Sequence, residues 1–553
     1  MPDTLSFVND RSGRRLVWAD AAVLVLITVL TALPYVGSLG FYSDDWYLLA
    51  SFQADMVQHT FGIHSVLRDF AARPVQGFYL AGLYTLFGFH PLGYHVVNTA
   101  VIAASMPLFY WLLVRLKVDR GSAFAAAVIF IVLPQLSTIR VWYAAFQIPL
   151  SMLAAWVSLH CQLRFARTGK AAWAVAAAAA AIISVGAYEI FAPLIAAFPV
   201  GLVLARWQSD RRRAVVLLTL AALVGALALA KFGLSDRPEA PELQRYVKGL
   251  IQLVRPDYDW RTDYALNVFA AAEVHFWSPL LGWLRGVQAL VRGDLGWVDA
   301  AAALAAALLA FWRIRLPESS SAKPWSNGQL ALLGLATFVL GHAAFVIVPS
   351  IFFSPTGIAN RALVAGAVGV ALVLVAGVRY LASLAGGRHQ SLVFAAVIAV
   401  IAFVGTLRVL QIANYWTEAR PIADKILAAA RSDLKDVPAQ SVVLLDNVCP
   451  YHGPAVIFEA PWDVSGALTL ASGKPVRGDA VSPRMSLQKG GLATSIYGEA
   501  AFYPFGRNLY VYDPPRHRLV QLGDFAAARR YFRAASATRT PCSRGYVGHG
   551  VLI

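Results

Sequence analysis

The chain has 553 residues, of which 58% are hydrophobic and only 14% charged. Soluble proteins carry about 25% charged residues, so the composition excludes an ordinary soluble enzyme and describes an integral membrane protein in a lipid bilayer. The formal net charge of +16 does not point to nucleic acid, because the cations stand as Arg-rich punctuation between apolar runs, the pattern that sets membrane topology.

In chain order, apolar runs that could span occupy 17–39, 92–114, 121–137, 144–163, 171–187, 190–205, 214–232, 296–312, 328–350, 362–380 and 390–411. At the usual span length they predict about eleven transmembrane helices. The first run lacks a small-residue cleavage site and reads as a retained signal-anchor. Basic clusters follow every second run: Arg11, Arg14 and Arg15; Arg115, Lys117 and Arg120; Arg164, Arg167 and Lys170; Arg206 with Arg211 to Arg213; Arg313 and Arg315; Arg379 and Arg388. Short cytoplasmic loops collect Lys and Arg, which predicts a cytoplasmic N-terminus and, with an odd number of spans, an extracytoplasmic tail.

The expected organisation is therefore mainly α: a polytopic membrane domain over 1–411 and a small C-terminal α/β domain over 412–553. The extracytoplasmic side receives a long first loop, 40–91, and a second near 233–295 containing "RPDYDWRTDY". The apolar segment 266–290 is expected to be interfacial or re-entrant, since a span there would invert every later loop. In the tail, "EARPIADKILAAARSDL" has helical periodicity, while "SVVLLDNV", "AVIFEA" and "NLYVYD" read as strands. Cys161 lies within a span and reads as packing. Cys449 and Cys542 both fall in the tail, where an oxidising compartment permits a disulfide; two free buried thiols are the alternative.

Immediately after the first run comes "GFYSDDWYLL", with Asp44 and Asp45 set among aromatics. One reading is a helix start, with Ser43 as cap, the acids favoured in the first turn, and Trp46, Leu49 and Phe52 as a membrane-facing stripe. Acids at a membrane boundary are costly and often functional. Adjacent residues on a helix point in different directions, so the two have separate jobs, one as a base facing a cavity and the other capping or binding an ion.

Arg73 precedes Pro74, which pushes the chain out of the helical region there. A short apolar segment follows from about Val75 to the glycine at 88. "HPLGYHVVN" then opens the second span with His95 and Asn98 on one face, a spacing that also suits plain interhelical hydrogen bonds. Three arginines, Arg73, Arg140 and Arg361, fall on the outer face, where positive residues are otherwise sparse. Each alone reads as interfacial snorkelling; together they suit a phosphate, which guanidinium binds bidentately.

An Asp-Asp pair after the first span, then "RPV", then "HPLGYHVVN", resembles the GT-C superfamily of glycosyltransferases, with nearest likeness to protein O-mannosyltransferases and lipid A aminoarabinose transferases. The resemblance implies a GT-C fold and an enzyme that moves a sugar from a polyprenyl-phosphate carrier to an acceptor hydroxyl on a glycan, glycolipid or protein, outside the cytoplasmic (inner) membrane. It implies a catalytic base at Asp44 or Asp45, Asp44 being preferred, and a carrier-phosphate contact at Arg73. "SVGAYEIFAPL" resembles a segment that places Glu189 at an outer helix end, and "IANRALVAGAVG" one that places Arg361 beside the phosphate. Asn360 replaces a glutamate of that family pattern, and Val75 replaces a second proline. Some members use Mg²⁺ or Mn²⁺, for which Asp44 and Asp45 are the candidate ligands. The alternatives are a lipid-linked-sugar flippase or transporter, which predicts two pseudo-symmetric halves, and a polysaccharide polymerase.

Overall fold

The computed structural model describes residues 11–204, 210–233, 269–316, 325–346, 353–496, 499–536 and 542. The loop motif "RPDYDWRTDY" lies outside them. The fold is a bundle of apolar helices with a mixed α/β domain at one end. It is a multi-pass membrane protein. Among the described residues six helices are long and apolar enough to cross a bilayer: Pro91–Arg115, Tyr143–Thr168, Arg211–Ala230, Trp297–Arg315, Ile358–Leu384 and Gln390–Asp433. Arg120–Val132 and Pro134–Val141, bent by 59° at their break, make a seventh if taken as one span.

The expected eleven spans are thus not confirmed by length and composition among the described residues. Helices stand at the other runs too, but Leu16–Leu30, Ala171–Ala187 and Glu189–Leu204 are short apolar helices, and Asn327–Val346 packs closely on Val364–Leu384. Apolar composition extended the expected runs past the residues that turn the chain. Thr31–Ser38 forms turns after the first helix, and a helix break follows Val132.

The basic loops gather at one end of the bundle. Arg379 pairs with Asp119 at 2.9 Å, and Trp325 donates to the Leu116 carbonyl at 3.0 Å. Arg167 donates to the Arg115 carbonyl at 2.9 Å. Just inside this end, the fully buried Asp20 takes Arg313, Arg120 and the Tyr110 hydroxyl, cross-linking four helices through one carboxylate.

At the opposite end lie the acid loop and the tail. The tail does not begin at a linker. Gln390–Asp433 is one uninterrupted helix of 44 residues, so the boundary expected at 411/412 falls inside it, and the last apolar run continues directly into the tail's first helix. Beyond it, parallel strands Arg477–Ala480, Val442–Leu445 and Leu509–Asp513 form a sheet completed by antiparallel Arg518–Gln521. Helix Pro461–Ser472 is part of the crossover between the first two. A three-stranded antiparallel sheet, Ser486–Gln488, Gly491–Ile496 and Glu499–Pro504, lies beside it. "AVIFEA" contributes only the short strand Ala455–Val456, its remaining residues packing as buried coil. Cys449 and Cys542 are joined by a disulfide. The segment 278–292 is a helix packed on the long helix, where Gly286 meets the Arg408 backbone, and it turns Leu280, Leu281 and Leu284 outward.

Candidate active site

The site is built on the break in the third apolar run. Pro134 has no N–H to continue a helix and restricts the residue before it, so the chain leaves Arg120–Val132 and continues through a short turn, Thr138–Val141 and a second turn, Tyr143–Ala145. Three consecutive residues of this segment each hold one part of the site. Trp142 donates its indole N–H to the Tyr42 carbonyl at 3.1 Å. The Tyr143 hydroxyl donates to the Leu80 carbonyl at 2.6 Å, fixing helix Pro74–Phe87. The Ala144 N–H donates to Asp45 at 2.8 Å.

The two acids have different surroundings. Asp45 is fully buried, and each of its oxygens accepts a backbone N–H, from Tyr42 and from Ala144, both at 2.8 Å. Burial holds its carboxyl well above the usual carboxylate range, an effect that the two N–H donors oppose and the neighbouring Asp44 charge adds to. A carboxyl so placed shapes the loop and is closed to solvent. Asp44 is half-buried and accepts the Trp462 indole N–H at 2.7 Å. Ser43 makes no side-chain cap; it holds a left-handed conformation (φ 49), uncommon for a non-glycine residue, and the loop is closed by Asp45. Trp46, Leu49 and Phe52 are buried in the protein, Phe52 against Phe61, Phe70 and Tyr84. The expected membrane-facing stripe is thus a core stripe, because the loop 58–90 folds over it.

The arginines divide likewise. Arg361 lies with its guanidinium 5.0 Å from the centre of the Trp142 ring, and among the described residues no carboxylate pairs with it. Its loop is tied to the helix break by Asn360, whose amide donates to the Ser137 hydroxyl at 2.8 Å and the Pro134 carbonyl at 3.3 Å, and by Thr138, which donates to the Gly357 carbonyl at 2.6 Å. Arg73, at the start of helix Pro74–Phe87, forms a two-pronged pair with Glu189 at 3.0 and 3.3 Å and covers the Tyr188 ring at 4.5 Å. Arg140 does not face outward. It is buried and donates to the Thr31 hydroxyl at 2.9 Å and to the Ile131 carbonyl, because the bend of 59° after Val132 turns this side chain into the bundle.

His95 and Asn98 bond backbone carbonyls, Gly40 at 3.1 Å and Ile139 at 2.8 Å. They clamp the acid loop and the helix break against the second span. Trp142, Trp462 and Arg420 carry no mark in the sequence as site residues. Arg420 runs across Gly40, where a side chain would meet it at 2.8 Å, and donates to the Leu39 carbonyl at 3.1 Å. The proline of "IVLPQLSTIR" was the one available signal for the break.

The acid pair does not make a divalent-cation site. Both Asp45 oxygens are taken by N–H donors, and among the described residues no group of three or more His, Cys, Asp or Glu side chains converges.

No protein-family model matches the chain, and no curated protein matches it. Among solved structures it is similar to the oligosaccharyltransferase of Archaeoglobus fulgidus in the apo form, at 15% identity and a TM-score of 0.42 over 84% of this chain and 64% of that one. It is similar to the same organism's AglB in complex with an inhibitory peptide and a dolichol-phosphate, at 14% identity and 0.43, covering 85% and 65%. ArnT of Cupriavidus metallidurans bound to undecaprenyl phosphate matches at 16% identity and 0.31, covering 84% and 85%. The chain thus spans under two thirds of the oligosaccharyltransferase's length. At these scores the likeness carries no functional argument, and the site is read from its own residues.

Proposed function

We propose that the chain is an inverting, GT-C type glycosyltransferase of a cytoplasmic membrane, moving a sugar from a polyprenyl-phosphate carrier to an acceptor hydroxyl on the extracytoplasmic side. Asp44 is the general base. As the acceptor oxygen attacks the anomeric carbon, the hydroxyl proton passes to the Asp44 carboxylate, the bond from that carbon to the phosphate oxygen breaks, and its electron pair leaves with the carrier phosphate. The phosphate gains one negative charge, which Arg361 and Arg73 offset. Stabilising such charge in a dry site lowers a barrier by several kcal/mol, and a positioned base contributes about 10²–10⁴-fold. Asp45 and Glu189 are positioning residues, the first for the acid loop and the second for Arg73. Arg140 braces the helix break, and no step passes through a metal.

The observation that carries this reading is the shared scaffold. Trp142 touches both the acid loop, through the Tyr42 carbonyl, and the Arg361 guanidinium, so the loop that carries the base and an anion-binding cation meet at one side chain. The test incubates purified protein with a panel of polyprenyl-phosphate sugars and a mixture of glycan, glycolipid and peptide acceptors, following donor consumption. Asp44→Asn is expected to lose at least about 10²-fold in turnover. Arg361→Ala should raise the donor KM about tenfold or more, the value of a hydrogen bond to a charged group. Donor left untouched by the wild type would move the reading to a lipid-linked-sugar transporter.

A further inference from the structure

The tail supplies a contact to the site that nothing in the membrane domain anticipates. The Trp462 indole N–H meets Asp44 across 418 residues of sequence. Trp462 is the second residue of helix Pro461–Ser472, whose start is fixed by Asp463: its buried carboxylate accepts the backbone N–H of Glu459 at 3.0 Å and of Ala460 at 3.1 Å. One turn further on, Gly466 lies against the backbone of Trp46 and Tyr47, so this helix and helix Asp44–Val57 touch main chain to main chain. The domain is also rigidly seated. The continuous helix Gln390–Asp433 carries it, and the Trp416 carbonyl of that helix accepts the Tyr42 hydroxyl at 2.6 Å.

We propose that the C-terminal domain is part of the catalytic unit, with Trp462 as the positioning residue that aims the Asp44 carboxylate. This rests on Asp44 being the base. The indole takes Oδ1 and fixes the carboxylate plane, and among the described residues no group donates to Oδ2, leaving that oxygen for the acceptor hydroxyl. A base must lie within hydrogen-bond reach of its proton in a defined direction, and an exposed-side carboxylate with no such donor rotates freely.

Trp462→Phe removes the N–H and keeps the ring. It should lower kcat about tenfold with the donor KM and the melting temperature unchanged, whereas a contact that merely glues the domain would move the melting temperature. In the Asp44→Asn background the same substitution should cost nothing further. A donor-independent readout accompanies these: the indole ¹⁵N–H resonance that disappears in Trp462→Phe should move in Asp44→Asn. Wild-type kcat in Trp462→Phe, or full additivity with Asp44→Asn, overturns the proposal. Full turnover by Asp44→Asn instead overturns the assignment of the base, and the indole resonance still reports whether the contact exists.

Discussion

The seam between the tail and the acid helix has almost no slack at Gly466. A methyl group added there would lie 2.5 Å from the Trp46 carbonyl oxygen and 2.7 Å from the Tyr47 nitrogen. These are backbone atoms and cannot rotate away. The methyl falls about 0.9 Å short of ordinary van der Waals contact, so Gly466→Ala must part the two helices by roughly that distance. Trp462 lies one turn earlier on the same helix face. Moving it outward by the same amount stretches the 2.7 Å indole–carboxylate contact to about 3.6 Å, beyond hydrogen-bond range. Overpacking of this kind costs about 1–3 kcal/mol, and losing the indole–carboxylate contact should lower turnover about tenfold. The assay is donor turnover beside thermal unfolding of the purified protein. Gly377→Ala is the control: this residue is inside helix Val364–Leu384 with nothing within 4 Å of the added methyl, and alanine there should be neutral or stabilising by up to about 1 kcal/mol. Wild-type turnover and melting temperature in Gly466→Ala would refute the claim that a rigid seam sets the geometry of Asp44.

At the far end of the bundle, Asp20→Asn leaves the buried Arg313 and Arg120 side chains, 3% and 11% exposed, without their counter-charge. Removing one partner of a buried pair costs about 3–5 kcal/mol, so the variant should melt far lower or fail to purify as a single species. Adding Arg313→Leu should recover part of the loss, and an unchanged melting temperature would show that the cluster carries no stability. In the tail, burial raises the Asp479 carboxyl to about 6, against the lowering pull of the Tyr503 hydroxyl and the Ala480 N–H. Its folded value is above the unfolded one, so between about pH 4 and 6 the folded state binds a proton that the unfolded chain has lost, and stability falls as pH rises through that window, by up to about 3 kcal/mol. Asp479→Asn removes this slope. The melting temperature of the variant relative to the wild type should therefore climb from pH 4 to pH 6 and then level, and parallel curves would contradict the assignment.

Much of the membrane domain was legible because span-forming composition is a local property. Each expected apolar run holds a helix, and the basic loops that the charge pattern assigns to one side do meet at one end, as Arg379–Asp119 and Trp325–Leu116 show. Two of the tail's expected strands, Val442–Leu445 and Leu509–Asp513, were legible for the same reason. Where local reasoning erred, a long-range contact had overruled it. Trp46, Leu49 and Phe52 have the spacing of an interfacial stripe, yet the loop 58–90 covers them. Arg140 belongs by position with the outer arginines, yet the turn after Pro134 points it inward.

By itself the sequence determined that this is a membrane protein with an acid pair and scattered arginines at one end, since residue type and order decide which segments enter lipid and which charges stay at its edge. Only the tertiary structure decided which acid is fully buried and which is half-buried. Asp45 is closed by a backbone N–H 99 residues away and Asp44 is held by an indole 418 residues away. Hydrogen bonds between such distant positions leave no periodicity for a local pattern to show, because they depend on how packed helices bring the two ends of the chain together.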